Sequence, residues 1–172
     1  AKDIDGDGDI DALSASSFDD KIAWYENTDG LGTFGPRRVI PTSGSSFYDV
    51  YAADIDGDGD ADVLSAARLT GQIAWHPNIN GQGTFGAQQI VSSNTGAAEN
   101  VYAADLDGDG DVDVLSSSYG QVAWHENIDG LGTFGPDQVV STPAQTIGNI
   151  HAADVDGDGK IDVLSTDNTN DG

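Results

Sequence analysis

Four stretches of the chain place hard oxygen donors at alternate positions around glycines: "DIDGDGDID" (residues 3 to 11), "DIDGDGDAD" (54 to 62), "DLDGDGDVD" (105 to 113) and "DVDGDGKID" (154 to 162). With the first aspartate as position 1, carboxylates fall at positions 1, 3, 5 and 9. They are Asp3, Asp5, Asp7 and Asp11, then Asp54, Asp56, Asp58 and Asp62, then Asp105, Asp107, Asp109 and Asp113, and finally Asp154, Asp156, Asp158 and Asp162. Position 6 is glycine in every stretch, where an oxygen-lined loop must turn sharply. Calcium takes roughly six to eight hard oxygens. Four carboxylates, one main-chain carbonyl and water make up that number, whereas magnesium's octahedral shell rarely draws on so many carboxylates. The chemistry these residues point to is the binding of up to four calcium ions.

Position 7 refines the ligand set. Its occupants are Asp9, Asp60, Asp111 and Lys160. A lysine side chain cannot ligate a cation, so position 7 is read as a backbone-carbonyl donor whose carboxylate is optional. Positions 2 (Ile4, Ile55, Leu106, Val155) and 8 (Ile10, Ala61, Val112, Ile161) are always non-polar and are expected to tuck beneath the loop. Position 12, a bidentate glutamate in an EF-hand, is Ser14, Ser65, Ser116 or Ser165, and no helical periodicity flanks the loops. The reading is a calcium loop inside a β-hairpin. Without metal, carboxylates ~4 Å apart repel by roughly 1 kcal/mol per pair even in bulk water, so folding and cation binding should be coupled.

The elements that position these loops recur with them. The loops begin at Asp3, Asp54, Asp105 and Asp154, and Trp24, Trp75 and Trp124 and Phe34, Phe85 and Phe134 repeat in step, giving units 1–49, 50–100, 101–149 and a partial 150–172. Apolar residues alternate with a period near two, as in Ala61-Asp62-Val63-Leu64-Ser65, which predicts strands. In the second unit these fall at about 50 to 55, 61 to 67, 72 to 78 and 86 to 92. Four short antiparallel strands per unit match a β-propeller blade. The expected architecture is all-β, about three and a half blades, as a partial propeller or an open repeat array. The tryptophans are expected between blades, with exposed sugar-stacking platforms as the alternative.

The combination of "DxDxDGxxD" with "KIAWYENTDGLGTFG" resembles the FG-GAP/VCBS repeat family, relatives of the integrin α-subunit propeller, over essentially the whole chain. The resemblance implies calcium loops joining the first two strands of each blade, on one face of a closed propeller. Three units and a hairpin fall short of the roughly four to eight blades of known rings. The chain is therefore read as a fragment of a larger propeller, or as a subunit completed by another copy, end to end in a filament. Its Ala-Lys-Asp start reads as a mature or excised piece of a longer precursor.

Charge and composition narrow the function. The formal charge is -24, and nineteen of the 30 acidic residues lie in the four loops. Six basic residues cannot supply a phosphate-binding surface, so nucleic acid is not an expected partner. Cysteine is absent, which excludes disulfides and thiolate metal sites, and no apolar run reaches the roughly 20 residues of a membrane span. No Ser/His/Asp grouping is evident along the chain, His76 and His125 read as strand-surface substitutions, and His151 stands where Tyr51 and Tyr102 stand. No enzyme is expected. The leading expectation is an extracellular or cell-surface calcium-binding scaffold or adhesion module, with itself, an extracellular protein or a glycan as partner. The alternative is a carbohydrate-binding module that uses the links differing between units: "PTSGSSFYD", "SSNTGAAEN" and "STPAQTIGN", with "SSFDD", "ARLTG" and "SSYG".

Overall fold

The computed structural model describes residues 1–93, 95–142 and 147–167, and every regular element within them is a β-strand. Asn94 and residues 143–146, which belong to two of the variable links, lie outside the described residues. The strands are β1 (Ala12–Ser16), β2 (Lys21–Tyr25), β3 (Arg38–Ile40), β4 (Phe47–Ala53), β5 (Asp62–Ala67), β6 (Gln72–His76), β7 (Gln89–Ser92), β8 (Ala98–Ala104), β9 (Asp113–Ser118), β10 (Gln121–His125), β11 (Gln138–Ser141), β12 (Ile147–Ala153) and β13 (Asp162–Asp167). They form four antiparallel meanders, β1-β2-β3, β4-β5-β6-β7, β8-β9-β10-β11 and β12-β13. The first sheet lacks an opening strand, and only the Lys2–Asp11 bridge stands in its place. The array is open, with two complete four-stranded sheets between two partial ones.

Period-two alternation sends the side chains of one strand into two different cores. From β5, Val63 and Ala67 face backward to pack with Ile4, Ile22, Trp24 and Ile40 of the first sheet. Leu64 and Ala66 face forward, with Ile73 and Trp75, against Ala98, Val101 and Val114 of the third. Each such Leu or Val contributes about 1.5–3 kcal/mol on full burial. Strands β5 and β9 are buried on both faces, which explains why small and aliphatic side chains follow the leading aspartate in "DVLSAA" and "DVLSSS".

The opening strands begin earlier than the alternation indicates. Strands β4, β8 and β12 start at Phe47, Ala98 and Ile147, each with a register shift two residues on that places an extra residue in the pairing. A bulge breaks the period of two, so only the part from Val50, Val101 or Ile150 onward is regular. These strands lie side by side: the Val101 N–H donates to Asp49 Oδ2 at 3.1 Å, and the rings of Tyr51, Tyr102 and His151 form a row, tilted and then edge-to-face, at centroid distances of 4.8 and 4.6 Å. Burial and the neighbouring Tyr102 hydroxyl push the Tyr51 phenol up to about 12.

The tryptophans are joints between sheets. Trp24 and Trp75 are buried, while Trp124 is half-buried. The Trp24 indole lies directly against Gly83 of the second unit, and Trp75 against Gly132 of the third. A Cβ at either glycine would overlap the indole, and both glycines have positive φ, at 70° and 80°. Gly132→Ala is expected to destabilise the protein by about 2–4 kcal/mol, from overpacking and backbone strain together. Denaturant unfolding measures this, and Gly96→Ala, where the added Cβ meets open space, should cost only the backbone part.

Candidate metal centres

Each acidic loop is shaped by its own carboxylates. The position-1 aspartate accepts hydrogen bonds from the glycines of the turn: Asp3 from the N–H of Gly6 (2.8 Å) and Gly8 (3.0 Å), and Asp105 and Asp154 from their equivalents. In the second loop Asp54 accepts from Gly59 at 3.0 Å. The position-5 aspartates Asp7, Asp58, Asp109 and Asp158 accept from the N–H of position 7 at 2.8 to 2.9 Å. These Asx-type bonds wind the loop so that its remaining oxygens converge. One oxygen from each of Asp3, Asp5 and Asp11 lies within 4.8 Å of the others, and the same holds for Asp54, Asp56 and Asp58, for Asp105, Asp107 and Asp113, and for Asp154, Asp156 and Asp162. The first, third and fourth loops thus bring together positions 1, 3 and 9, and the second brings together positions 1, 3 and 5.

Position 9 has a second task. Asp11 accepts the N–H of Ile4 (2.9 Å) on Oδ2 and that of Asn27 (2.8 Å) on Oδ1. Asp62 accepts from Ile55 and Asn78, and Asp113 from Leu106 and Asn127, at 2.7 to 3.0 Å. These carboxylates therefore bind the loop's own start to the end of the third strand of their unit. Asp62 is pushed up to about 7 by burial, with Asp56 and Asp58 adding to the shift and the two N–H donors opposing it. Burial also raises Asp5, Asp56 and Asp113.

Position 7 is more than a carbonyl. The carboxylates of Asp9, Asp60 and Asp111 lie on Gly30, Gly81 and Gly130, where a Cβ would collide with them. This close approach explains the glycine in "TDG", "ING" and "IDG". Burial and neighbouring acids raise Asp9 and Asp111, whereas Lys160 pairs with Asp158 at 3.4 Å.

The asparagines Asn27, Asn78 and Asn127 were not singled out as site residues, although each stands three residues after a tryptophan. Asn78 is buried, and its Nδ2 donates both to the Ala61 carbonyl of its own loop (3.2 Å) and to the Ile4 carbonyl of the preceding loop (2.8 Å). Asn127 repeats this with Val112 (3.2 Å) and Ile55 (2.9 Å). One side chain thus ties two successive loops together. Asn27 reaches only Ile10 of its own loop, at 3.2 Å. Identity at a fixed offset in all three complete units was the available signal.

An FG-GAP-like repeat model matches the chain three times, at residues 3–65, 56–116 and 105–165. The chain belongs to the FG-GAP-like repeat family. No curated protein matches it in sequence. Among solved structures it is similar to an Agrocybe aegerita lectin described as recognising non-reducing terminal N-acetylglucosamine, at 25% identity and a TM-score of 0.68. The alignment covers 95% of this chain and 44% of that one, so the chain spans less than half of the lectin.

The donor set of this FG-GAP-like chain fits a hard cation. Every converging group is a carboxylate oxygen. Asp5 Oδ1 and Asp54 Oδ1 are shut off from solvent with no hydrogen-bond partner, and an orphaned buried carboxylate oxygen is unfavourable unless a cation meets it.

Three sequence expectations are corrected. Position 8 does not tuck under its own loop: Ala61 and Val112 pack on the preceding sheet, and Ile10 and Ile161 are exposed. Val155 at position 2 of the fourth loop is exposed as well. His76 and His125 are fully buried rather than on the strand surface. Moreover, a Ser/His/Asp grouping does exist, because pairing of β9 with β10 sets Ser116 Oγ 2.8 Å from His125 Nε2, and Asp137 Oδ1 lies 3.1 Å from His125 Nδ1. Ser116 and His125 are inaccessible to a substrate, and Asp137 also accepts the Ser92 hydroxyl of the preceding unit at 2.8 Å. The arrangement ties two sheets together. Burial lowers both histidines, His76 to about 4, which keeps His76 neutral at pH 7.

Truncating the asparagine amides checks the coupling of loops. Asn78→Ala and Asn127→Ala each leave buried carbonyls without donors and should cost about 2–4 kcal/mol. Asn27→Ala, which joins no second loop, should cost about half as much, with chemical denaturation as the measurement.

Proposed function

We propose that the chain is a calcium-stabilised extracellular repeat module that presents a recognition surface on a rigid β scaffold. The observation that carries this reading is how the meander divides the loops. In each unit the acidic loop and the "DGLGTFG"-type turn lie at one end of the strands, and the variable links lie at the other. Near-identical residues therefore build the cation end, and differing residues build the opposite end. Calcium, when bound, supplies the charge that balances the converging carboxylates and braces the hairpin containing them. The chain's own residues do the rest: glycine amides orient the position-1 carboxylates, and position 9 anchors the loop to the third strand. The acidity of the chain supports the extracellular location. Among the described residues no helix is long and apolar enough to cross a membrane.

Glycan recognition is the second reading, supported by the similarity to the lectin and by the variable end itself. The turns between second and third strands carry Phe18, Leu69 and Tyr119, with exposures of 101%, 78% and 71%. Tyr48 is also exposed there and lies under the Arg68 guanidinium, 4.8 Å from its ring centroid. Aromatic and apolar surface of this kind suits the faces of sugar rings. Trp24 and Trp75 are enclosed and play no part in such a platform.

Two measurements test these readings. Calcium should raise the melting midpoint of stripped protein, and the increment should grow between pH 5 and pH 8. The sign follows from the raised carboxylates: in the folded, ion-free state Asp62 holds its proton up to about pH 7, so protons compete with the cation below that pH and not above it. An unchanged midpoint at pH 8 would remove the calcium reading. For the glycan reading, binding to immobilised N-acetylglucosamine-terminated glycans should fall at least about ten-fold, or about 1.4 kcal/mol, in Phe18→Ser/Tyr119→Ser, with the calcium response intact.

A further inference from the structure

The first loop differs from the others in one carboxylate supplied from outside its motif. Glu26 immediately follows β2 and comes back over the loop: one of its oxygens lies within 4.8 Å of oxygens from Asp5 and Asp7. Asp5 belongs as well to the Asp3, Asp5 and Asp11 group, so Glu26 adjoins the same converging set. Asp5 Oδ1 is the buried atom without a hydrogen-bond partner. On its other side Glu26 pairs with Arg38 of β3, whose guanidinium lies over the Trp24 ring at 4.7 Å. The glutamate is thus held between an arginine and the loop, and its side chain is only 25% exposed.

The corresponding positions differ. Pro77 stands there in the second unit and offers no side-chain oxygen. Glu126 stands there in the third, but Gln138 Nε2 donates to its Oε2 at 3.1 Å, and Glu126 is not among the oxygens that converge with Asp105, Asp107 and Asp113. Position in the repeat alone therefore does not bring this glutamate to the loop.

We propose that Glu26 is an additional ligand of the cation held by the first loop, which makes that site tighter than the second. This rests on the calcium reading. Carboxylate number is a main determinant of calcium affinity in oxygen-lined loops, and Glu26 adds a fifth side-chain carboxylate to Asp3, Asp5, Asp7 and Asp11. Arg38 holds Glu26 in the ion-free chain and releases one of its oxygens to the cation.

Calcium chloride titration of the full chain, followed by the amide resonances of Gly6 and Gly8 for the first loop and Gly57 and Gly59 for the second, resolves the sites individually. In the unsubstituted protein the first loop should saturate at lower calcium than the second. Glu26→Gln should raise the midpoint of the first loop about ten-fold and leave the second within two-fold; Glu26→Asp should recover part of the loss. Glu126→Gln should leave the third loop unchanged. Arg38→Gln separates ligation from simple structural support: it should leave the first loop as tight or tighter, whereas a glutamate that only anchors Arg38 would make Arg38→Gln as damaging as Glu26→Gln. An unmoved first-loop midpoint in Glu26→Gln, or equal weakening of both loops, overturns the proposal while the calcium reading stands. If no loop glycine responds to calcium in the unsubstituted chain, the calcium reading itself fails and the proposal with it.

Discussion

The architecture hangs on a buried carboxylate at the mouth of each of the first three acidic loops. Asp11, Asp62 and Asp113 each end one loop where a strand begins, and spend both oxygens on backbone N–H groups, one from the start of the loop and one from beyond the end of the third strand. A hydrogen bond to a charged acceptor contributes about 1.5–3 kcal/mol, but the aspartate must first be taken out of water, and the rise of Asp62 to about 7 records that opposition. The balance is tolerable because the N–H donors come from backbone already fixed by the sheet. With position 9 so held, positions 1 and 3 inherit their spacing, and oxygens that repel one another are kept within reach of a common point. The loop is thereby preorganised as an acceptor of positive charge.

Sheets meet through a small set of contacts that is used twice. Trp24 closes on Gly83 and Asn78 reaches back to Ile4; Trp75 closes on Gly132 and Asn127 reaches back to Ile55. Each joint combines apolar burial, which is indifferent to direction, with one hydrogen bond that fixes the register of one loop against the next. Stability in such an array is a sum of unit and neighbour terms. The same asparagine holds position 9 of its own loop through its backbone N–H, so one residue links an acidic loop to the joint with the previous one. The third joint is different in kind, since Trp124 stays half-buried and Asp162 shows only the Val155 contact.

Much of this was legible in the sequence because repetition converts chance into pattern. Four strands per unit, the hairpin position of the acidic loops and the inter-sheet role of Trp24 and Trp75 follow from period and spacing. Where reading failed, two neighbours competed for one residue. The first residues of β4, β8 and β12 escaped because a bulge destroys alternation. His76 and His125 were misplaced because they alternate with Tyr25, a pattern that resembles surface drift, whereas the pocket around them is polar and supplied by Ser65 and Ser116. Asp137 was invisible as the partner of His125, since its counterparts Arg37 and Gln88 do not share its charge. Asn78 and Asn127 bond across 74 and 72 residues, a separation that local reasoning does not bridge.

The backward reach of these asparagines also orders events in time. A chain emerging from a ribosome has made its first acidic loop long before the donor for the Ile4 carbonyl exists, because that donor is Asn78, 74 residues downstream. The glycine that covers Trp24 likewise arrives with the second unit. Each unit therefore leaves the exit tunnel unfinished and is completed by its successor, so that assembly is vectorial and the newest sheet is always the loosest. During synthesis the growing end carries an uncovered indole and an unbraced cluster of aspartates until the next repeat arrives.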